Sequence, residues 1–165
     1  MNLLRFLKHI STPGWIARRP FTPDVLKKIE QAIKTSEQRH DGELRFVVEG
    51  PLPLHALVGN ETPRARAEEL FSQLRVWDTA HNSGVLIYVQ LVDRRIEILA
   101  DRGIASKVAQ SEWSAICRAM EKSFKDGRFA DAALDAIGRI TMLLAKHFPP
   151  LDKNPNELPD KPVVL

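Results

Sequence analysis

The segment from Gly84 to Leu91 constrains the fold more than any other part of the chain, because it is apolar on both alternating faces. Such a strand must be covered above and below, which is typical of the central strand of an α/β protein. A short polar turn follows, and the alternating stretch Arg95–Ala100 then predicts a strand that returns antiparallel beside it. Its charged residues favour a place at the sheet edge. The hairpin therefore predicts a buried sheet with helices on both sides.

Two threonine–proline pairs mark the starts of helices before this hairpin. Thr22 and Thr62 supply capping hydroxyls, and the prolines after them suit the first turn of a helix. Between the two helices, residues 44–49 alternate between apolar and charged side chains, which predicts a half-buried strand. The segment 51–61 is expected to be an irregular connection. Since a strand, a helix and a strand form a right-handed parallel unit, the order predicts an α/β fold, a three-layer α/β/α sandwich around a small mixed, mostly parallel sheet.

Two further helices follow the hairpin. Ser111 is placed to cap the first of them, which Gly127 closes, and a pair of prolines at 149–150 stops the second. The last 17 residues contain five prolines and few large apolar groups, so we expect an extended or mobile tail. The chain then divides into a basic amphipathic arm (1–21), an α/β/α domain (22–148) and a proline-rich extended tail (149–165).

Composition and charge exclude several classes of protein. The chain is 44% hydrophobic and 27% charged, and no apolar run approaches the roughly 20 residues of a membrane span. Its single cysteine excludes an internal disulfide. Residues 1–20 hold four of the 24 basic residues and no acid, and residues 149–165 hold two basic and three of the 21 acidic residues. The remainder holds 18 of each sign, which argues against nucleic-acid binding, because such a domain carries its positive excess on the folded body.

The basic arm permits two interpretations. Its apolar residues recur at roughly helical spacing with cations between them: Leu3, Leu4, Phe6, Leu7 and Ile10. Such a helix suits weak binding to a membrane surface or docking on a partner protein. A short helix packed on the domain explains the same pattern. Because no signal-peptide pattern is present, we expect a cytoplasmic protein, with peripheral membrane contact through residues 1–20 as the alternative.

The topology brings particular polar residues together at one end of the sheet, where strands begin or end. The two parallel strands begin there and the antiparallel strand ends there, so residues near those points should be neighbours. They are Glu43, Asp78, His81, Asn82, Asp101 and Arg102, with Trp77 close by. The opposite end should gather Glu49, Asp93 and Arg94. The first end is the candidate cleft.

Three carboxylates of this cleft, Glu43, Asp78 and Asp101, are candidate ligands for a hard cation such as calcium, which takes about six to eight oxygen ligands. The same acids also suit helix caps and ion pairs with Arg102. His81 is a candidate acid or base, and a solvated turn residue is the simpler interpretation. No cofactor-binding motif accompanies these residues, so no cofactor is expected.

Other reactive side chains favour structural roles. Three arginines near the ends of the second hairpin strand are candidates for a phosphate-binding fork, although solvated strand ends explain them more simply; these are Arg94, Arg95 and Arg102. Cys117 lies on the apolar stripe of a helix, which favours a buried thiol over a nucleophile. Trp77 and Trp113 are expected in the core.

The ordered set of motifs resembles the TPM-domain family. The resemblance rests on Gly42-Glu43 before a strand, a helix ending near Trp77, the strand opening Asn82-Ser83-Gly84-Val85-Leu86-Ile87, the turn Asp93-Arg94, the segment Asp101-Arg102-Gly103-Ile104, and late helices with Phe124 and Gly127. It covers residues 22–148, and the carboxyl-terminal segment is similar to the short bacterial branch of that family. The resemblance implies an α/β/α sandwich, acid phosphatase activity in some members, calcium binding and a role in maintaining membrane complexes.

Two functions follow from these observations. The first is a non-catalytic interaction or accessory module that binds a protein partner and assists a membrane- or envelope-associated complex, because no complete catalytic constellation is present. The alternative is a metal-assisted acid phosphatase that acts on phosphomonoesters at the candidate cleft. Many relatives carry acids just before the central strand, where this chain has His81, Asn82 and Ser83. We therefore expect calcium binding to be weak or absent.

Overall fold

The computed structural model describes residues 2–151 and 155–165, so Met1 of the expected arm and residues 152–154 of the expected tail lie outside the described residues. The helices and strands of the described part follow in chain order. They are α1 (Leu3–Ser11), α2 (Gly14–Ala17), α3 (Pro23–Glu37), β1 (Glu43–Glu49), α4 (Leu54–Val58), α5 (Pro63–Gln73), β2 (Gly84–Gln90), β3 (Arg95–Ala100), α6 (Arg102–Ala105), α7 (Gln110–Lys125), α8 (Phe129–His147) and β4 (Val163–Val164).

These strands form one sheet in the order β3-β2-β1-β4. β1 and β2 are parallel, with Glu43 opposite Gly84, and β2 and β3 are antiparallel, with Val85 opposite Ala100. β2 lies between β1 and β3 and is buried along its whole length, which confirms the predicted central strand. β3 lies at an edge and is only partly buried, as its charges predict.

Helices cover both faces of the sheet, which confirms the predicted α/β/α sandwich. On one face, side chains such as Phe46 and Ile87 pack against the apolar stripes of α3, α7 and α8. On the other face, Val47 and Leu86 pack with Leu70 of α5. Within the described ranges, no helix combines the length and the apolar character that crossing a membrane requires.

The helix starts agree with the sequence in two places and differ in one. Thr22 accepts a hydrogen bond from Val25 N–H, and Thr62 accepts one from Ala65 N–H, so both predicted caps are confirmed. The predicted Ser111 cap is wrong, because α7 already begins at Gln110 and has no side-chain cap. That helix is instead held by its buried apolar stripe, as most protein helices are.

The connection 51–61 is not wholly irregular, because it contains α4. Ala56 and Leu57 of this helix are buried and pack together with Leu52 and with Phe6 of α1. The helix is only five residues long, too short to form on its own sequence preference. Contact with α1, which the local pattern does not reveal, therefore stabilises it.

β1 is buried along its whole length, so the predicted half-buried strand is wrong. Arg45 and Glu49 are 7% and 2% exposed. Glu49 accepts a hydrogen bond of 2.7 Å from Arg66 and one of 2.6 Å from the Tyr88 hydroxyl, and Arg45 donates to two backbone carbonyls of the tail. Charged residues tolerate such burial when they are paired, and here their partners come from distant segments.

The tail supplies β4, which the sequence does not predict. Val163 lies opposite Val47 in a parallel pair with β1, and Leu158 is 6% exposed. The described end of the tail is therefore paired with the sheet and partly packed against it. A strand of two residues in a proline-rich segment carries no strand pattern of its own, so only the neighbouring strand defines it.

We expect Leu158→Ala to lower the free energy of unfolding by about 2–3 kcal/mol, because it leaves a cavity in a buried apolar cluster. Leu151 is 47% exposed, so Leu151→Ala is the matched control and should change that free energy by less than about 0.5 kcal/mol. Urea denaturation followed by circular dichroism gives both values. Equally small effects at the two positions would contradict a packed tail.

Candidate functional site

The predicted neighbourhood forms at the end of the sheet where β1 and β2 begin and β3 ends. Glu43 N–H donates to the Ser83 carbonyl over 3.1 Å, and Asp101 N–H donates to the first residue of β2 over 2.8 Å. Gly103 N–H donates to the Asn82 carbonyl over 3.1 Å, so the turn after β3 lies against the turn before β2. The backbone therefore brings three strand ends together at the candidate cleft.

Asp101, Arg102 and Asn82 form one connected group in this cleft. Asp101 Oδ1 accepts a 2.7 Å hydrogen bond from Arg102 N–H at the start of α6, and Arg102 Nε donates to Asn82 Oδ1 over 3.2 Å. Asp101 Oδ2 is buried and has no hydrogen-bond partner among the described residues. A Cβ at Gly103 would lie 2.6 Å from the Asn82 carbonyl oxygen, so only glycine permits this close approach. Asp101 thus has the capping role that the sequence allows.

Glu43 points away from this group and toward the tail. Its side chain is buried, and Oε2 accepts a 3.0 Å hydrogen bond from Leu158 N–H. Burial raises the pKa of Glu43, and burial also raises the pKa of the neighbouring Glu37 to about 9. Because a metal ion binds the deprotonated form of a carboxyl group, a raised pKa weakens cation binding at these two side chains.

Asp78 and His81 each have a separate partner. Asp78 forms a 3.1 Å ion pair with Arg75, and both side chains are mostly exposed. His81 Nδ1 lies 2.7 Å from Asp41 Oδ2. The sequence prediction omits Asp41, although its place just before Gly42 and β1 puts it at this end of the sheet by the same topological argument.

Trp77 is exposed, so its predicted place in the core is wrong. It is 47% exposed, and the Arg75 guanidinium lies 5.9 Å from its ring centroid, within the range of a cation–π contact. Arg75 has a left-handed φ of 54°, so helical spacing no longer applies to the residues after it. Trp113, 2% exposed, lies in the core as predicted.

The cleft gives its three candidate carboxylates separate partners. Glu43 bonds to the tail, Asp78 to Arg75, and Asp101 to the start of α6. Within residues 2–151 and 155–165, no group of three or more His, Cys, Asp or Glu side chains is placed to hold a metal ion. In this geometry the polar groups of the cleft hydrogen-bond the ends of neighbouring strands to one another.

The remaining candidate groups do not join the cleft. Arg94 and Arg95 lie at the opposite end of β3 from Arg102, so the three do not form a fork around one phosphate. Cys117 packs partly buried against the main core, and burial raises the pKa of its thiol to about 12. A thiol that stays protonated near neutral pH is a weak nucleophile.

Residues 19–143 match the family model of the TPM domain. The chain belongs to the TPM-domain family. BA42 protein from the psychrophilic bacterium Bizionia argentinensis has a similar structure, with a TM-score of 0.76 and 30% sequence identity, over 87% of this chain and 94% of that chain. The N-terminal domain of a protein from P. gingivalis has a TM-score of 0.62 and 17% identity, over 77% of this chain and 78% of that chain, which shows the fold alone. No curated protein matches the chain.

Calcium binding by this TPM domain is expected to be weak, with a dissociation constant of about 10⁻³ M or weaker. The physical reason is that Asp101 is already engaged as a cap beside a cation, while Glu43 accepts a hydrogen bond from the tail and has a pKa that burial raises. Calorimetry with calcium and magnesium on chelator-treated protein measures the affinity. Micromolar calcium binding that disappears in Asp101→Asn would overturn this prediction.

Asp93 holds the arm of this TPM domain at the opposite end of the sheet, in the turn between β2 and β3. Arg5 Nη2 lies 2.7 Å from Asp93 Oδ2, and His9 Nε2 lies 3.0 Å from Oδ1. Leu52 N–H donates to His9 Nδ1 over 2.9 Å, so Nε2 carries the proton of a neutral His9 ring and donates to Asp93. Burial alone would raise the pKa of Asp93, but the hydrogen bonds from Arg5 and His9 outweigh it and lower that pKa.

The other predicted members of this end of the sheet have different roles. The Glu49 side chain bonds to Arg66 inside the domain, and Arg94 occupies the hairpin turn with a φ of 57°. The contact from Arg5 to Asp93 joins residues 88 positions apart. No local spacing predicts such a pair, so the arm's attachment point cannot be found from the sequence pattern.

Docking in this way leaves apolar side chains of the arm on the outside. Phe6 packs inward against Leu52, Ala56 and Leu57, whereas Leu4 is 81% exposed. Eight of the 13 exposed large apolar side chains in the described residues lie on α1, α2 and α4. We call these eight the amino-terminal apolar face: Leu3, Leu4, Leu7, Ile10, Trp15, Ile16, Leu54 and Val58.

Proposed function

We propose that this TPM domain is a non-catalytic accessory module that attaches to the anionic cytoplasmic surface of a membrane through its amino-terminal apolar face and there assists a membrane-associated protein complex. The observation that carries the proposal is the apolar face itself. Proteins seldom leave a large group of apolar side chains exposed unless it meets a partner or a membrane.

The charge around the face favours a lipid surface over a purely apolar partner. Residues 1–20 contain four cations and no acid, and Lys8 and Arg19 are exposed. A helix with an apolar face and basic flanks lies in the plane of the lipid headgroups. Each cation near an anionic surface adds about 1 kcal/mol of attraction.

The attachment of the arm supports the same proposal. Arg5 and His9 hold α1 to Asp93, and Phe6 anchors it against α4. The opposite side of α1 therefore stays directed outward before any membrane is met. A preorganised surface loses less conformational entropy on binding than a flexible arm does.

In the structure, the acid phosphatase hypothesis rests on one observation, that Asp101 Oδ2 in the cleft has no hydrogen-bond partner among residues 2–151 and 155–165. The geometry favours it less, because the other candidate acids have separate partners. Turnover of a phosphomonoester by purified protein decides between the two functions. Activity that is present in the wild type and lost in Asp101→Ala would support the phosphatase.

We expect the full-length protein to sediment with vesicles that contain phosphatidylglycerol and to bind less to vesicles of phosphatidylcholine alone. The double variant Leu4→Glu/Leu7→Glu should bind at least about 10-fold more weakly, because it removes two apolar groups that would enter the lipid. Met142 is 61% exposed on α8, so Met142→Glu is the matched control and should bind like the wild type. Equal binding by all three proteins, or none by any, would contradict the membrane proposal.

A further inference from the structure

Among the described residues, no strand pairs with the outer edge of β3, and two side chains lie there in the place that the backbone of another strand would take. Ile96 N–H donates to Glu121 Oε1 over 3.2 Å, and Arg64 Nη1 donates to the Ile98 carbonyl over 3.4 Å. An adjacent strand presents a carbonyl and an N–H group at these points. The two side chains therefore supply, from α7 and α5, the hydrogen bonds that a missing strand would make.

A groove of about 380 Å³ lies beside this edge. β3, the first turn of α5 and one side of α7 line it, and α7 contributes the small side chains of Ser114 and Cys117. None of its lining residues belongs to the amino-terminal apolar face. The groove thus provides part of the space that an added strand needs, and displacement of the Glu121 and Arg64 side chains from the edge of β3 would provide the rest.

The charges of the groove favour an acidic occupant. Three arginines and two glutamates line it, so it has a positive excess. The Arg95 side chain is 63% exposed, and its Nη1 lies 3.8 Å from Glu121 Oε2, which is a long ion pair. Arg118 is exposed and forms no ion pair with the residues that the structure describes. A carboxylate placed in the groove would meet these two cations.

We propose that this groove binds an extended acidic peptide segment of a partner protein, which pairs with β3 as a further strand. The main chain of the peptide replaces the carboxylate of Glu121 and the guanidinium of Arg64 at the edge of β3. Both side chains keep a partner after this exchange, because Arg64 also pairs with Glu68 at 3.1 Å and Glu121 lies next to Arg95. Strand addition of this kind takes affinity from main-chain hydrogen bonds and specificity from alternate side chains.

The test is selection of a phage-displayed random peptide library on the full-length protein, followed by fluorescence anisotropy with the enriched peptides. Ser114→Trp fills the groove, and Ser111→Trp places the same bulk on an exposed position of α7 outside it. We expect enriched peptides to be rich in Asp, Glu and β-branched residues. Ser114→Trp should weaken their binding by about 10-fold or more, the cost of overfilling a packed site, and Ser111→Trp should not weaken it.

Two further measurements keep the outcome clear. Arg118→Glu reverses an exposed charge without filling the groove and should also weaken binding of the acidic peptides, even if Ser114→Trp fails to fold. Bound peptide should slow amide hydrogen exchange at Ile96. Absence of any enrichment, equal binding to Arg118→Glu and wild type, or a peptide that binds as a helix would overturn the proposal and leave the two side chains as protection of an open edge.

Discussion

Replacing Gly84 with alanine is expected to lower the free energy of unfolding by about 3 kcal/mol or more, the upper end of overpacking effects. A Cβ at this position would lie 1.9 Å from the backbone oxygen of Val76 and 2.9 Å from its carbonyl carbon. Val76 is fully buried, and Gly84 begins the central strand. Neither segment can move away without disturbing the sheet, so the strain persists in the folded state.

Gly138 provides the matched control for Gly84. It is exposed within α8, and a Cβ there would meet nothing within 4 Å. Gly138→Ala should raise the free energy of unfolding by about 0.5–1 kcal/mol, because alanine favours a helix over glycine. Urea denaturation followed by circular dichroism measures both variants. A Gly84→Ala protein as stable as the wild type would contradict the close approach of β2 to Val76.

Replacing Arg66 with methionine is expected to lower the free energy of unfolding by about 3–5 kcal/mol, because it leaves Glu49 as a buried charge without its cation. Arg66 Nη2 lies 2.7 Å from Glu49 Oε1, and both side chains are almost fully buried. The Tyr88 hydroxyl donates to the same carboxylate over 2.6 Å. Burial and the nearby Glu49 charge raise the pKa of Tyr88, so the phenol stays protonated as a donor and cannot replace the lost positive charge.

A double substitution separates the charge effect from packing. Glu49→Gln combined with Arg66→Met removes both charges and keeps an acceptor for Tyr88, so it should lose less stability than Arg66→Met alone. Arg64→Met on the same helix is the exposed control, since the Arg64 side chain is 44% exposed, and it should cost less than about 1 kcal/mol. A double variant that is less stable than Arg66→Met would show that lost packing, rather than the unpaired charge, governs this site.

The parts of the fold that follow from the sequence are those with a strong local pattern. The apolar run from Gly84 predicts a central strand, and the charges of β3 predict an outer strand. Both follow from the sequence because the burial of each residue in a strand is written in the polarity of that residue. Thr22 and Thr62 predict helix starts because a cap lies within three residues of the N–H group that it accepts. Ser111 has the right chemistry for a cap, but the packing of α7 places the helix start before it.

Other parts of the fold depend on contacts between distant segments, which local patterns do not contain. Arg45 and Glu49 look like the solvent side of a strand, yet the tail and Arg66 cover them. β4 is identified only by its pairing with β1. The same limit applies at the sites. The predicted topology places Asp101 and Asn82 at one end of the sheet, as in the structure, but it does not reveal that the Glu43 side chain accepts a hydrogen bond from Leu158.

The two proposed surfaces are separate on the domain. The amino-terminal apolar face lies on α1, α2 and α4, whereas the peptide groove lies between α5, β3 and α7. A module with one surface for lipid and another for an extended segment is able to hold a partner protein at the membrane without chemistry of its own. Failure of either surface in its test would leave the other to stand on its own observations.

Trp15 allows the central claim to be measured directly. It is 69% exposed on the amino-terminal apolar face, whereas Trp77 lies near the candidate cleft and Trp113 is buried. When the protein is bound to phosphatidylglycerol vesicles with brominated acyl chains, which quench tryptophan that enters the lipid, we expect the wild type and Trp77→Phe to lose fluorescence. Trp15→Phe should keep its fluorescence. Equal quenching of Trp15→Phe and wild type, or no quenching of either, would contradict attachment through this face.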